Sequence, residues 1–161
     1  MLIYDMLKQL LIIFSILGFS YAQIQQGGYP KYYDTRIDEI SFINIDHDNQ
    51  IDRGFHPMVF QFGNEYDVDI NVLDAATLIQ EGENLTYLLG IESREAYAIG
   101  LNFNEFVLTE NAELFFYDED RTIFFGSFND FNNKATMDLT TSLVKSDRII
   151  MELNVPLDEA A

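Results

Sequence analysis

The feature of this sequence that most constrains its fold is an alternation of apolar and polar residues with a period of two. Apolar residues at Tyr66, Val68, Ile70 and Val72 are separated by acidic or amide residues, and residues 97–103 repeat the pattern. Successive side chains of a β-strand point to opposite faces of a sheet, so this period is typical of a strand with one buried face. The two segments therefore predict strands rather than helices.

Five further segments predict strands, and each is bounded by residues that favour turns. These segments are 85–92, 113–117, 122–128, 137–143 and 148–155. A helical turn is expected only around 73–79. Short strands at this spacing, without a long helical pattern, indicate an all-β fold. We expect an antiparallel β-sandwich that is jelly-roll-like in its strand order.

The first residues have the order of a secretory signal peptide. Lys8 precedes an apolar run at 10–19, and the small residues Ser20 and Ala22 follow it. Because a membrane-spanning helix needs roughly 20 apolar residues, the run is too short for an anchor. We predict a cleaved signal peptide at 1–22, a secreted or periplasmic bacterial protein, and no stable membrane span after cleavage.

The remaining chain divides near residue 60. Residues 23–60 are polar and rich in turn-forming residues around one apolar stretch at 40–45, which predicts an irregular pro-segment or arm. The strand segments follow at 61–157 and predict the β-sandwich domain. Residues 158–161 would then begin a linker to a further C-terminal region.

The composition excludes several classes of function. The chain has 27 acidic and nine basic residues and a net charge of −18, and its basic residues do not cluster along the sequence. Phosphate backbones and anionic membrane surfaces would repel such a chain, so nucleic acid is excluded as a partner. The lack of cysteine excludes disulfides and thiolate chemistry, and export without disulfides fits a bacterial source.

The sequence predicts no catalytic site in this chain. Only His47 and His56 could serve as the base of a Ser-His-Asp triad, and both lie in the arm. The only serine that directly follows a glycine is Ser127, which lies in a strand-to-loop sequence rather than in a nucleophile elbow. The surplus of carboxylates leaves carboxylate-pair chemistry open, but abundance alone does not indicate it.

Calcium is the one cofactor that the sequence suggests. Asp46, Asp48 and Asp52 offer carboxylate oxygens at spaced positions of an acidic loop. An EF-hand loop would have glycine where this sequence has Ile51 and glutamate where it has Pro57. A calcium site and a solvated acidic loop therefore both remain open, and no other cofactor is predicted.

Two pairs of adjacent aromatic residues, Phe115-Phe116 and Phe124-Phe125, lie in predicted strands. Neighbouring residues of a strand point to opposite faces, so each pair places one ring in the core and one on the outer face. The outer rings would be covered if the arm packed over these strands. Otherwise they would form an interface or a binding patch.

Residues 85–156 resemble the region that precedes the catalytic domain in secreted bacterial lysyl endopeptidase-like, trypsin-fold serine proteases. The pattern includes Phe-x-x-Phe-x-Leu, a Leu-Phe-x-Tyr strand, Gly-x-Phe before an Asn-Asn pair, and a closing Ile-Ile-x-Glu-x-x-x-Pro. The residues that occupy these positions are Phe103, Phe106, Leu108, Tyr117, Gly126, Phe128, Asn132, Asn133, Glu152 and Pro156. The Gly-Gly-Tyr-Pro segment at 27–30 also resembles the pro-region of that family.

The sequence departs from the pattern at Asn129, where threonine is usual, at Leu88, where tryptophan is frequent, and at 110–111, where Pro-x-Gly commonly lies. The resemblance implies a non-catalytic N-terminal pro-region of such a protease, which assists folding of the catalytic domain, inhibits it or positions it. The expected partner is that catalytic domain in cis, whose catalytic triad has no counterpart in these residues. The alternative is a stand-alone secreted module that binds carbohydrate or a cell-surface partner.

Overall fold

The computed structural model describes residues 27–51 and 63–160. The predicted signal peptide, Asp52 and His56 lie outside the described residues. No helix in the described ranges is long and apolar enough to cross a membrane.

Strands make up most of the regular structure. They are β1 (Ser41–Asn44), β2 (Thr77–Glu81), β3 (Asn84–Glu92), β4 (Asn102–Phe103), β5 (Glu113–Asp118), β6 (Phe124–Phe128), β7 (Leu139–Thr140) and β8 (Arg148–Pro156). One turn of α-helix, α1 (Val72–Ala75), precedes β2, and 3₁₀ turns occupy His47–Asn49 and Asp130–Asn132. The expectation of an all-β chain is confirmed at this level.

The large sheet is built around the two longest strands, β3 and β8. They pair antiparallel over nine residues, from Asn84 opposite Pro156 to Glu92 opposite Arg148. The strand order is β1-β3-β8-β5-β6. The other edge of β3 is shared, because β2 pairs antiparallel with its first half and β1 pairs parallel with its second half. The expectation of purely antiparallel pairing is therefore wrong at β1.

A second, two-stranded sheet covers one face of the large sheet. Its strands β4 and β7 pair antiparallel, and an isolated bridge between Ile99 and Val144 extends the pairing. Ile99 and Val144 are buried in one hydrophobic cluster with Phe116 and Met151 of the large sheet. The main core of the protein thus lies between the two sheets. We refer to the face of the large sheet that lines this core as the inner face.

The opposite, outer face of the large sheet is covered by the N-terminal arm. Tyr32 and Tyr33 of the arm form a second buried cluster with Leu88, Tyr117 and Ile150 of the sheet. The structure therefore shows the arrangement in which the arm packs over the aromatic strands. The arm also contains a strand, β1, in the apolar stretch that sequence analysis had placed in an irregular segment.

The alternating segments formed less strand than their pattern predicts. Residues 66–72 contribute a single bridge, between Tyr66 and Gln50, and residues 97–103 contain only the two-residue strand β4. Residues 137–143 likewise contain only β7. The predicted helical turn at 73–79 is correct up to Ala75, after which the chain enters β2.

Candidate functional site

The candidate site is a buried carboxylate, Glu152, in the middle of β8. Its neighbours Met151 and Leu153 point into the inner core, so Glu152 points to the outer face beneath the arm. The residue has no exposed surface. Glu152 therefore takes the position that an apolar residue would usually occupy in such a strand.

Four hydrogen-bond donors surround the Glu152 carboxylate. Oε1 accepts from the backbone N–H of Lys31 at 2.5 Å and from Nδ2 of Asn154 at 2.9 Å. Oε2 accepts from the backbone N–H of Tyr32 at 3.1 Å and from the hydroxyl of Tyr117 at 3.0 Å. Each oxygen thus has two donors, which fills the usual acceptor capacity of a carboxylate.

The carboxylate is held by neutral donors. Within the part of the chain that the structure describes, no lysine or arginine lies at ion-pair distance from Glu152. A buried charge is tolerated only when its oxygens are satisfied, so these four hydrogen bonds offset the cost of desolvation. Two of them come from the arm backbone, and Glu152 therefore acts as a clasp that fixes residues 31–32 to the sheet.

The partners of Glu152 are themselves fixed. Asn154 accepts a hydrogen bond at 2.7 Å from the hydroxyl of buried Thr86 on the neighbouring strand, which orients its amide toward Glu152. Burial, together with the nearby charge of Glu152, raises the pKa of Tyr117 far above its ordinary value. Tyr117 therefore remains a neutral donor throughout the physiological pH range.

A second phenol of the site, Tyr32, lies where the arm crosses the sheet. Burial raises the pKa of Tyr32 to about 12, and Glu81 contributes to the shift. Lys31 pairs with Glu81 at 2.9 Å, with its ammonium 5.5 Å from the centre of the Tyr32 ring. Since Lys31 and Glu81 are both substantially exposed, this ion pair contributes little to stability compared with the clasp.

The arm is attached at two further points. The carbonyl oxygen of Gly27 accepts hydrogen bonds from Ser127, from its N–H at 3.0 Å and from its hydroxyl at 2.7 Å. The carbonyl oxygen of Thr35 accepts from Nη2 of Arg121 at 3.0 Å. These contacts lie on either side of the Glu152 clasp along the arm, so the segment from Gly27 to Thr35 is fixed at both ends and in the middle.

Aromatic rings fill the space between the arm and the sheet. Tyr33 makes edge contacts with Tyr117 and Phe124, with ring centroids 5.3 Å and 5.2 Å apart. Tyr29 packs against Phe124 at 5.3 Å in the same way. Edge-to-face pairs of this kind add stability beyond the area they bury.

The structure places several residues of the protease-like pattern in the inner core. The Phe103 ring lies 6.0 Å from those of Phe106 and Phe116, and the Phe116 ring lies 5.7 Å from that of Phe128. Leu108 packs against the same cluster. Phe103, Phe106, Leu108 and Phe128 therefore contribute to the packing of the inner core.

The remaining pattern residues shape turns and strand ends. Gly126 has φ of +137°, and a Cβ there would lie 2.7 Å from the carbonyl oxygen of Leu114, so only glycine fits. The Asn132 side chain accepts from the N–H of Asn129, which completes a capping box. Asn133 accepts from Leu108 N–H at 2.9 Å and donates to its carbonyl at 2.8 Å, and Pro156 ends β8.

Asp46 of the suggested calcium loop has a local structural role. Asp46 caps the 3₁₀ turn by accepting from the N–H of Asp48 at 3.0 Å. The described residues contain no group of three or more His, Cys, Asp or Glu side chains placed to hold a metal ion. Because Asp52 lies outside the described ranges, the calcium site stays a prediction.

Sequence reasoning missed a contact between His47 and Ser93. Nε2 of His47 lies 3.1 Å from Oγ of Ser93, and the imidazole stacks on Tyr66. A nucleophile and a base at this distance are parts of hydrolytic sites. The N–H of Ser93, however, donates to the carbonyl of Asp147 at 2.8 Å, which removes one donor that could stabilise an oxyanion. The contact joins the turn after β1 to the end of β3.

Comparison with known proteins finds no similar protein. Neither the protein-family models nor the curated proteins nor the solved structures contain a match to this chain.

Proposed function

We propose that this chain is the non-catalytic N-terminal pro-region of a secreted lysyl endopeptidase-like serine protease. In this proposal the two sheets are a jelly-roll-like β-sandwich, and the domain binds the catalytic domain to assist its folding, inhibit it or position it. We also propose that the protein is bacterial and is secreted by means of a signal peptide at residues 1–22.

The observation that supports this proposal most strongly is the Glu152 clasp. Glu152 belongs to the closing Ile-Ile-x-Glu-x-x-x-Pro stretch, and Lys31 directly follows the Gly-Gly-Tyr-Pro stretch at 27–30. These two stretches resemble the protease pro-region independently, and Lys31, which adjoins one of them, donates a hydrogen bond to Glu152 in the other across a separation of 121 residues. A shared contact gives a physical reason for both stretches to occur in one chain.

A role in binding is also consistent with the surface charge. The net charge of −18 favours association with a basic partner and disfavours association with an acidic one. Binding of this kind weakens as salt screens the charges. A basic catalytic domain would therefore bind this domain in a salt-dependent way.

The test is to refold the catalytic domain of a secreted bacterial lysyl endopeptidase with and without this chain. We expect a higher yield of active protease with the chain, and lower activity when the chain is added in excess to the folded protease. The effect should decrease as salt is raised. If neither the refolding yield nor the activity changes at low salt, the proposal is wrong.

A second candidate function is a stand-alone module that binds carbohydrate. It is favoured by two aromatic side chains with large exposed fractions, Tyr97 at 76% and Phe131 at 69%. The ammonium of Lys145 lies 4.9 Å from the centre of the Tyr97 ring. A glycan array probed with the protein and with Tyr97→Ala tests this function. Binding that is lost in the variant would support it, and the absence of any signal would reject it.

A further inference from the structure

Three of the nine basic residues of this acidic chain meet in one surface groove. Arg36, Arg121 and Arg148 line a groove of about 330 Å³ between the arm and the outer face of the large sheet. They lie far apart in the sequence, and sequence analysis found no basic cluster. The fold therefore creates a concentration of guanidinium groups on a protein that otherwise carries a large negative charge.

The three arginines differ in how well their charges are paired. Arg148 lies between two carboxylates, with Nη1 2.9 Å from Glu119 and Nε 3.5 Å from Glu92. Neither Arg36 nor Arg121 forms an ion pair with any carboxylate of the described ranges. Arg121 donates through Nη2 to the carbonyl oxygen of Thr35, so Arg36 and the remaining N–H groups of Arg121 are the donors available for an external anion.

The floor of the groove is apolar. It is formed by Ile40 and Phe42 of the arm and by Ile150 of β8, whose side chain is almost fully buried. The guanidinium of Arg148 stacks on the Phe42 ring at 4.2 Å, which keeps the ring in place at one side of the floor. Concave sites with an apolar floor and a few placed charges are typical of ligand sites.

We propose that this groove binds the terminal carboxylate of a peptide whose last side chains are apolar. Arg36 and Arg121 would donate to the carboxylate, in the fork geometry that guanidinium groups favour. The adjoining apolar side chain would lie on Ile40, Phe42 and Ile150. The groove of about 330 Å³ has room for a terminal carboxylate together with one apolar side chain.

The charge in the groove favours a carboxylate over a phosphate. Glu119 pairs with Arg148, Glu92 is shared between Arg148 and Arg94, and Asp38 also lines the groove. This leaves two arginines against one aspartate, which is a single net positive charge. A monoanion complements that charge, whereas a dianion would meet the two carboxylates without enough cations.

The test is a titration of the full chain with N-acetyl-Phe-Leu, which has a free terminal carboxylate, followed by NMR chemical shifts. The matched ligand is N-acetyl-Phe-Leu amide, which has the same apolar groups without the charge. We expect the acid to bind about tenfold more tightly than the amide, since charge-assisted hydrogen bonds carry the difference. Equal affinity for acid and amide would overturn the proposal.

The matched protein variants are Arg36→Gln and Arg94→Gln, which remove the same charge from exposed sites inside and outside the groove. We expect Arg36→Gln to weaken acid binding by about tenfold and Arg94→Gln to leave it unchanged. An equal loss in both variants would show a general charge effect and contradict the proposal. Sulfate is the third probe, and its displacement of the peptide at equal concentration would show a general anion site and reject the proposal.

Discussion

The hydroxyl of Tyr117 lies 3.0 Å from Oε2 of Glu152, in a part of the molecule where neither side chain reaches solvent. Tyr117 and Glu152 lie on neighbouring strands, β5 and β8, and their contact lies directly beneath the arm. The Tyr117 and Asn154 hydrogen bonds to Glu152 lie within the sheet, while the other two come from the arm backbone. Substitutions of Tyr117 or Glu152 therefore test how much the attachment of the arm contributes to the stability of the sheet.

Substitution of the buried carboxylate should weaken the attachment of the arm. Glu152→Gln keeps the shape of the side chain but places an amide NH₂ where an oxygen now accepts hydrogen bonds from the backbone of Lys31 or Tyr32. We expect the free energy of unfolding to fall by about 2–3 kcal/mol in urea titrations. Glu105→Gln, on the exposed surface, makes the same charge change and should alter stability by less than about 0.5 kcal/mol. Similar losses in both variants would contradict the clasp.

Removal of the phenol hydroxyl should have a smaller effect. Tyr117→Phe keeps the ring against Tyr33 and leaves Glu152 with three of its four donors. We expect a loss of about 1–2 kcal/mol, measured by the same urea titrations. In the double variant with Glu152→Gln, the losses should not add, because the two side chains are in direct hydrogen-bonded contact. Simple additivity would mean that the two side chains act independently.

The buried phenols predict that the protein loses stability in alkali. The pKa values of Tyr32 and Tyr117 are raised in the folded state, that of Tyr32 to about 12. Because the unfolded phenols have pKa values near 10, their contribution is fully present below about pH 10 and is lost as pH rises through the folded values. We expect the free energy of unfolding to be flat from about pH 8 to about pH 9 and then to decrease.

This pH profile has an internal control. Tyr117→Phe removes one of the buried phenols, so its stability should decrease less steeply above about pH 10 than that of the wild type. Tyr97→Phe, at an exposed position, should keep the wild-type slope. A wild-type profile that stays flat to about pH 11 would show that burial does not hold these phenols in the neutral form.

Gly90 is required for the packing of Phe42. A Cβ at residue 90 would lie 2.6 Å from Cγ of the Phe42 ring, so Gly90→Ala should push the ring away from β3 and from Arg148. We expect a destabilisation of about 1–3 kcal/mol by thermal or urea unfolding. Gly63→Ala is the matched control, since a Cβ there meets nothing within 4 Å. A Gly90→Ala protein as stable as this control would argue against close contact between Phe42 and the sheet.

The strands that sequence analysis predicted well are those with apolar residues on both faces. The segments at 85–92, 113–117 and 148–155 correspond closely to β3, β5 and β8, and 122–128 contains β6. Their sequences are largely apolar because the second sheet covers one face and the arm covers the other. Regular alternation of apolar and polar residues, as at 66–72, predicted strands less well. Such a pattern indicates that one face is buried, but it does not indicate that a neighbouring strand is present for pairing.

The candidate site could be predicted only in part. An acidic residue between Met151 and Leu153, within an otherwise apolar strand, is a sequence signal for a buried carboxylate. Its donors could not be predicted, because the backbone groups of Lys31 and Tyr32 carry no sequence signature. The arginine groove was missed for a related reason, since Arg36 and Arg121 meet only through the path of the arm across the sheet.

Through the parallel pairing of β1 with β3, the arm covers part of the edge of β3. Residues 89–92 of β3 bond to β1 along an edge that β2 covers only as far as Leu88. Cleavage or release of the arm would expose the backbone hydrogen-bonding groups of residues 89–92, together with the aromatic rings that the arm covers. An uncovered edge is a template for a strand from another molecule. We therefore expect loss of the arm to favour pairing of this edge with a strand of another molecule.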